Sequence, residues 1–268
     1  MKSSYNCILG ITLLVALCAT GAFAQDKIQW PEGKRVAVSL TFDDGRDSQV
    51  LRGTALLDRY GVKATFFVVP GAVRRQHEGW KKAVAAGHEI GNHSLHHPCS
   101  GNFAWSRDHA LESYSIADMK AELLQANREI QSLLGVAPRV FAYPCGQTFV
   151  GRGTETKSYV PVVAESFLLG RTWMDEAPND PLYCDFAQLT GMEMDGKEFP
   201  QIKALVESAR ESGAWLVLAG HEMGDDGAQT TRLRMLEELL KYAADPAQGI
   251  WIAPVGEVAD YVRSVREK

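Results

Sequence analysis

The sequence lacks several features that would point to common classes of protein. No Cys-x-x-Cys pair occurs, which argues against a zinc site built from cysteines. After residue 25 there is no internal repeat, low-complexity tract or long linker. The formal net charge of the 268 residues is −5, so the chain has no excess of basic charge for a nucleic-acid partner. With 46% hydrophobic and 23% charged residues, the composition is that of a globular protein with a sizeable core.

No apolar run is long enough to span a bilayer comfortably, but the first residues resemble an export signal. Lys2 precedes an apolar stretch over residues 8–19, whereas a spanning helix needs about 20 apolar residues. Ala22-Phe23-Ala24 matches a small-x-small cleavage site. We therefore predict that residues 1–24 are a signal peptide and that residues 25–268 form one exported domain, periplasmic or extracellular, without a stable membrane span. An uncleaved membrane anchor is the less favoured alternative.

Export would place the remaining cysteines in an oxidising compartment. Cleavage removes Cys7 and Cys18 and leaves three cysteines, Cys99, Cys145 and Cys184. One disulfide with one free thiol is one option for this odd number. Small, partly buried thiols are the favoured interpretation, so the state of the three cysteines stays open.

Strand-like and helix-like segments alternate along the chain. The predicted strands are residues 35–42, 63–69, a short one around Ile90, 140–142, 166–172, 214–219 and 249–253. The predicted helices are residues 47–60, 80–86, 116–134, 201–212, 231–243 and 255–265, with Ser115 as an N-cap and Gly135 after a C-terminus. Such alternation predicts an α/β fold with parallel strands and crossover helices. About seven units favour closure into a distorted (β/α) barrel with outer helices, whose functional groups follow the carboxyl ends of the strands.

Two adjacent carboxylates follow the first predicted strand, in the segment Thr41-Phe42-Asp43-Asp44-Gly45. Like charges so close disfavour joint ionisation, and a divalent cation would remove that cost. Gly45 permits a sharp turn beside them. A plain turn is the alternative interpretation, because Asp and Gly are common turn residues.

Two histidines four residues apart, His93 and His97, lie in the segment Asn92-His93-Ser94-Leu95-His96-His97-Pro98. At this spacing both can reach one metal ion from a helical turn or a tight loop. Together with a carboxylate they would form a 2-His-1-carboxylate face with open positions for water and substrate. Zinc suits these ligands and would lower the pKa of its water to about 7. We expect His96 to point elsewhere; a solvated polar loop is the alternative.

Two further strand ends carry groups that cleavage of an acyl bond would use. Pro144-Cys145-Gly146 forms a turn that can expose a backbone N–H, a common way to hold a developing oxyanion. His221 follows the apolar strand 214–219, and an imidazole beside a metal site can serve as general acid or base near neutral pH. Taken singly, a plain turn and a structural histidine are the commoner explanations.

Together, in order and spacing, these motifs resemble the polysaccharide deacetylase family, also called the NodB-homology domain or carbohydrate esterase family 4. The resemblance runs from about Arg35 to Arg263, and the Asp-Asp-Gly and His-x-x-x-His-Pro motifs match in full. It implies a distorted (β/α) barrel and a divalent metal, most often zinc, with cobalt or manganese as alternatives. It also implies an acetylated glycan as the partner; the oligomeric state is not predicted.

The resemblance also implies a role for each candidate residue. The metal ligands would be Asp44, His93 and His97. Asp43 would be the general base for a metal-bound water, and His221 the general acid for the leaving group. The backbone N–H of Cys145 would help to stabilise the oxyanion. The implied reaction removes acetyl groups from N-acetyl sugars of chitin-like or peptidoglycan-like polymers. Esterase activity on acetylated xylan and a carbohydrate-binding homologue without catalysis are the alternatives.

The chain departs from the family pattern in the later motifs. The third family motif carries an arginine that tethers the catalytic aspartate, and here Ala142 stands at that position. We predict that Arg171 reaches the aspartate instead, from a neighbouring strand end. Tyr143 is predicted to support the site, either against a sugar ring or, preferably, in packing. The fourth motif has only a loose stand-in, Trp173-Met174-Asp175, and the fifth has an extra residue before His221.

Overall fold

The structure is a computed structural model that describes residues 27–267, so the predicted signal peptide lies outside the described residues. The strands are β1 (Val36–Phe42), β2 (Thr65–Val68), β3 (Glu89–Asn92), β4 (Val140–Ala142), β5 (Phe149–Val150), β6 (Lys157–Ser158), β7 (Leu169–Arg171), β8 (Met192–Glu193), β9 (Trp215–Gly220), β10 (Glu222–Gly224), β11 (Thr230–Arg232) and β12 (Ile250–Ile252). The α-helices are α1 (Thr54–Arg59), α2 (Pro70–Arg75), α3 (His77–Ala85), α4 (Ile116–Leu134), α5 (Val160–Ser166), α6 (Phe199–Ser212), α7 (Leu233–Ala244) and α8 (Val255–Arg266).

The main sheet is parallel and has the strand order β7-β4-β3-β2-β1-β9-β8. An eighth strand, β12, pairs with the first half of β1, and β2 pairs with its second half. Leu189 pairs with β7, and a few residues later β8 pairs with β9, so one short segment bridges the two edges of the sheet. The strands therefore curl into a distorted (β/α) barrel surrounded by helices. The predicted fold class is confirmed; β12 corresponds to the predicted strand 249–253, and the short β8 is the strand of this sheet that was not predicted.

Strand β1 is buried along its whole length, which explains its almost continuous apolar sequence. Its even-numbered residues pack in a large core cluster with side chains from α1, α3, α6 and α7. Ala37 belongs to a second cluster, with Phe67 and residues of α8. Because side chains alternate along a strand, Asp43 continues the face of Ala37. The carboxylate of Asp43 therefore lies on the opposite face of β1 from the large core cluster.

The predicted helix boundaries are largely confirmed, and two differences matter for the site. Helix α4 begins at a Ser115 capping box and ends at Gly135, as predicted. The predicted helix 47–60 is instead a π-helix over Gln49–Gly53 followed by α1. Pro70, two residues after the end of β2, is the first residue of α2. The sequence analysis did not predict this helix, although proline is favoured at the first helical position. Within residues 27–267, no helix is both long and apolar enough to cross a bilayer.

Candidate active site

A cleft of about 670 Å³ opens beyond the carboxyl ends of the parallel strands. It is lined by the six residues predicted to bind a metal or to act in the reaction: Asp43, Asp44, His93, His97, Cys145 and His221. These residues follow four different strands, β1, β3, β4 and β9. The barrel therefore gathers into one place groups that are up to 178 positions apart in the chain.

Asp44, His93 and His97 form a compact cluster of donor atoms. Oδ1 of Asp44 lies 3.4 Å from Nε2 of His93 and 3.2 Å from Nε2 of His97. Ligands bound tetrahedrally to zinc at about 2.0–2.1 Å would lie about 3.3 Å apart. Nδ1 of His93 lies 2.9 Å from the carbonyl oxygen of Ala142, which leaves its Nε2 facing the cluster. The three side chains therefore fit a divalent cation in both chemistry and spacing.

The second oxygen of Asp44 is held by Arg46, which the sequence reasoning missed. Nε of Arg46 lies 2.9 Å from Oδ2 of Asp44, so Oδ1 is left for the histidines. Burial by itself would raise the pKa of Asp44, but hydrogen bonds and charge from His93 and His97 outweigh it and hold that pKa well below its usual range. Asp44 is therefore an ionised carboxylate with one oxygen directed at the cluster.

Asp43 is buried and forms an ion pair with Arg171, the contact predicted from the sequence. Burial is the largest influence on the Asp43 carboxyl and raises its pKa, but the charges of Arg171, His93 and His221 outweigh burial, and the net pKa is lowered. Arg171 is fully buried, bonds also to the carbonyl of Thr172 at 2.8 Å, and lies 5.1 Å from the centre of the Phe67 ring. The pair keeps Asp43 ionised and fixed in direction.

The register of the sheet explains how Arg171 replaces the missing arginine. Ala142 occupies the position where the family motif has arginine, and in the pairing of β4 with β7 it lies directly beside Arg171. The guanidinium group therefore comes from the next strand over and reaches the same aspartate. The sequence placed both residues at strand ends, but only the register makes them neighbours.

His221 is oriented by Asp195, which the sequence reasoning also missed. Nδ1 of His221 lies 2.7 Å from Oδ2 of Asp195, and Oδ1 of the same carboxylate accepts from the Thr231 hydroxyl at 2.7 Å. Burial lowers the pKa of His221, but the Asp195 hydrogen bond and the charges of Asp43 and Asp44 outweigh burial, and the net pKa is raised. Asp195 precedes Gly196 in a short loop, and no sequence motif marked it.

The residue before His221 is Gly220, and the close approach of Asp195 and Thr231 leaves no room for a side chain there. A Cβ atom at Gly220 would lie 2.1 Å from the Thr231 hydroxyl oxygen and 2.7 Å from Oδ1 of Asp195. The residues of the stand-in motif Trp173-Met174-Asp175 make different contacts. Trp173 packs edge-on against the His221 ring, 4.7 Å between centres, whereas Asp175 accepts from Thr172 and Gly191 instead of contacting His221.

Gln49 ties the strand ends of Asp43 and His221 together, and it too was missed. Its side-chain amide donates to the Asp43 carbonyl at 2.7 Å and to the His221 carbonyl at 2.8 Å. The π-helix that begins at Gln49 turns this buried side chain towards the site. Such π-helical turns occur frequently at functional sites.

Three further predictions about individual residues have different outcomes. The structure does not bring Tyr143 to the cleft: its side chain is buried among aromatic residues and its hydroxyl donates to the Ala187 carbonyl at 2.7 Å. His96 points away from the cluster, as expected, with Nδ1 2.9 Å from Glu122. The preference for thiols is wrong for Cys99 and Cys145, which form a disulfide because the loops after β3 and β4 are neighbours.

Cys145 lines the cleft in the turn after β4. Its φ of 55° is left-handed, as are those of Asp44 (70°) and His97 (54°). Each such residue other than glycine costs about 1–3 kcal/mol, and these conformations cluster at functional sites. The strained backbone thus coincides with the candidate ligands and the candidate oxyanion donor. Cys184 is a free, half-buried thiol.

The fold and site define a class: a distorted (β/α) barrel with a two-histidine, one-carboxylate cluster at its mouth. Residues 31–157, which contain both complete motifs, match the polysaccharide deacetylase family model. The match confirms the resemblance to this family that the motifs show.

Two curated relatives match over shorter stretches than the family model does. A peptidoglycan-N-acetylglucosamine deacetylase of Listeria monocytogenes is 32% identical over 114 residues, which is 42% of this chain and 22% of the relative. A chitooligosaccharide deacetylase of Bradyrhizobium is 35% identical over 112 residues, 41% of this chain and 46% of the relative. The chain thus spans less than half the length of these curated relatives. A crystal structure of a polysaccharide deacetylase family protein from Mycobacterium smegmatis superposes with a TM-score of 0.66 at 20% identity, covering 90% and 95% of the two chains, which supports the fold.

Replacing Arg171 tests whether it sets the charge state of Asp43. In Arg171→Ala the burial of Asp43 remains while its main cation is lost, so the pKa of Asp43 should rise. The acidic limb of the kcat/KM–pH profile of acetate release should therefore move to higher pH, because the carboxylate is needed ionised. Arg171→Lys is the control, since it keeps the charge but not the planar geometry, and it should shift the limb less. An unchanged profile in Arg171→Ala would exclude this role.

Replacing Asp195 tests whether it, and not Asp175, keeps His221 protonated. Asp195→Asn removes the negative charge at nearly constant shape, so the pKa of His221 should fall. An acid that loses its proton at lower pH moves the alkaline limb of the kcat/KM–pH profile to lower pH, and kcat should fall about tenfold or more. Asp175→Asn is the matched control and should leave that limb in place. The reverse pattern would assign the role to Asp175.

Proposed function

We propose that this protein is a metal-dependent hydrolase that removes acetyl groups from carbohydrate, principally from N-acetyl sugars of chitin-like or peptidoglycan-like polymers. The observation that carries the proposal is the cluster of Asp44, His93 and His97, with Asp43 and His221 lining the same cleft. Deacetylases of peptidoglycan and of chitooligosaccharides among the relatives support the reaction and the substrate class.

The metal would be held by Oδ1 of Asp44 and the Nε2 atoms of His93 and His97, whose spacing suits zinc and also allows cobalt or manganese. When bound there, a divalent cation supplies Lewis acidity, which lowers the pKa of a coordinated water and polarises an acyl oxygen. Arg46 keeps the second oxygen of Asp44 occupied, so the carboxylate presents a single oxygen to the cation.

Side-chain and backbone groups of the chain would then transfer protons and stabilise developing charge. Asp43 is ionised and buried against Arg171, so it can accept the proton that the attacking water loses. The Cys145 N–H would donate to the oxygen on which negative charge develops. His221, whose pKa is raised, can give its proton to the leaving nitrogen. The net reaction adds one water across the amide and yields a free amine and acetate.

Amide cleavage relies more on a general acid such as His221 than ester cleavage does. An amine is a poor leaving group unless it is protonated, whereas an alcohol leaves more readily. The rim of the cleft favours a sugar ring: Trp105 is 62% exposed, its ring lies 5.7 Å from that of His97, and Phe103 stacks on it at 5.4 Å. Aromatic faces of this kind suit the apolar face of a pyranose.

A deacetylation screen tests the reaction, the bond type and the metal together. Acetate release is measured from N-acetylglucosamine oligomers, peptidoglycan and acetylated xylan, each with zinc, cobalt, manganese or a chelator. We expect release from the N-acetylated glycans that stops with the chelator and returns with metal. Asp43→Asn should lower kcat about 100-fold or more while leaving zinc binding measurable, because general-base catalysis contributes on that order.

Each contrary result of the screen is informative. Release from xylan alone would replace amide cleavage by ester cleavage at the same site. Sugar binding without release from any glycan would instead indicate a carbohydrate-binding homologue without catalysis. Release that continues with the chelator would exclude the metal-dependent reaction.

We also propose that the protein is exported to the periplasm or the extracellular space. The disulfide between Cys99 and Cys145 supports this, because such bonds persist mainly in oxidising compartments. On expression of the full chain, the exported form should begin at Gln25 when its N-terminus is sequenced. Recovery of the whole chain in the cytoplasm, with Met1 or Lys2 at its N-terminus and both cysteines reduced, would contradict the proposal.

A further inference from the structure

The Cys99–Cys145 disulfide joins two loops that carry groups of the active site. Cys99 lies two residues after His97, in the loop that follows β3, and Cys145 lies in the turn that follows β4. The two cysteines are 46 residues apart in sequence, and β3 and β4 are paired in the sheet. The bond therefore limits how far a candidate metal ligand can move from the candidate oxyanion donor.

His97 is oriented in the site by a weaker partner than His93 is. Nδ1 of His93 lies 2.9 Å from a backbone carbonyl oxygen, which fixes the ring. Nδ1 of His97 lies 3.7 Å from the sulfur of Cys99, and sulfur is a weak acceptor. A metal-binding histidine usually relies on a strong partner at its other ring nitrogen. At His97 the Cys99 sulfur of the disulfide lies beside this nitrogen, and the disulfide acts chiefly by holding the loop in position.

Backbone conformations that need support lie at Cys145, one end of the bond, and at His97, two residues before the other end. His97 and Cys145 are both left-handed, and residues other than glycine persist in this region only where their surroundings fix them. The His97 N–H donates to Oγ of Ser94 at 2.9 Å, a local bond that by itself leaves the loop free to move relative to β4. The disulfide supplies the covalent constraint between the two loops.

The barrel itself does not depend on this bond. Its strands are joined by backbone pairing and its large core cluster contains neither cysteine. The loops also share a hydrogen bond from the Ser100 N–H to Oε1 of Gln147, at 2.8 Å. Loss of the disulfide should therefore leave a folded barrel with the two loops still adjacent, but with His97 and the Cys145 N–H less precisely placed.

We propose that the Cys99–Cys145 disulfide is a positioning element of the active site, and that its oxidation state sets the metal affinity of the site and the rate of turnover. The proposal rests on the proposed function. Reduction by a dithiol breaks the S–S bond with two electrons and two protons, yielding two thiols while the dithiol becomes a cyclic disulfide. The freed thiols of Cys99 and Cys145, which lie within 4.8 Å of a ring nitrogen of His97, would then compete for zinc as soft ligands.

Serine variants test the tether without introducing those competing thiolates. The double variant Cys99→Ser/Cys145→Ser is compared with the wild type and with Cys184→Ser, whose sulfur bonds to Arg266 outside the cleft. Zinc affinity is measured by competition with a chromophoric chelator, and kcat and KM by acetate release. In the double variant the zinc dissociation constant should rise about 10- to 100-fold and kcat should fall, with KM little changed. Cys184→Ser should match the wild type.

Circular dichroism and the melting temperature separate positioning from folding. A lower melting temperature with wild-type zinc affinity and kcat in the folded protein would overturn the proposal, since it would show a purely structural bond. If the serine pair does not fold, Cys99→Ala/Cys145→Ala is measured in the same way. A wild type that neither binds zinc nor releases acetate would overturn the proposed function and this inference with it. An active wild type matched by the double variant would overturn this inference alone.

Discussion

Two neighbouring carboxylates at the end of a buried strand place the strongest constraint on this structure. Removing a charge from water costs several kcal/mol, so each carboxylate needs a compensating partner. Asp43 has the buried guanidinium of Arg171, and Asp44 has Arg46 on one oxygen and two histidines on the other. Most of these partners come from other strand ends, so the compensation exists only when the parallel strands are assembled. The site and the barrel mouth therefore depend on each other.

Charged groups reach the site from positions that the family motifs do not mark. Arginine is absent from the end of β4, yet a guanidinium group reaches the Asp43 carboxylate from β7, the neighbour in the sheet. The carboxylate that orients His221 comes from Asp195, which no sequence motif marked. The chemistry requires a charged group at a given position in the site, and a residue at either of two neighbouring strand ends can supply it.

Precision at the mouth of the barrel comes from loops, which are intrinsically less well fixed than strands. Here the loops are connected to one another in several ways. Gln49 joins the backbones of Asp43 and His221, and the disulfide joins the loops of His97 and Cys145. These connections hold three left-handed residues at the site. Contacts between loops that are distant in sequence thus stabilise these strained backbone conformations.

The sequence by itself determined the fold class and the residues of the candidate metal cluster. Strand–helix alternation predicts parallel strands, and the complete motifs around Asp43, Asp44, His93 and His97 depend on local spacing that one loop can encode. It also indicated Arg171 as a partner for Asp43, from its place at a strand end. Helix boundaries near caps, such as Ser115 and Gly135, were equally readable because their signals are local.

The tertiary structure decided the remaining contacts, because they join residues that no local pattern connects. Register alone puts Arg171 beside Ala142, and the pairing of β8 with β9 brings Asp195 to His221. The same holds for the disulfide, which requires the loops after β3 and β4 to be adjacent, and for Tyr143, whose side chain turns into the core instead of the cleft. Sequence spacing fixes which groups a loop carries, whereas long-range packing fixes which groups from different loops meet.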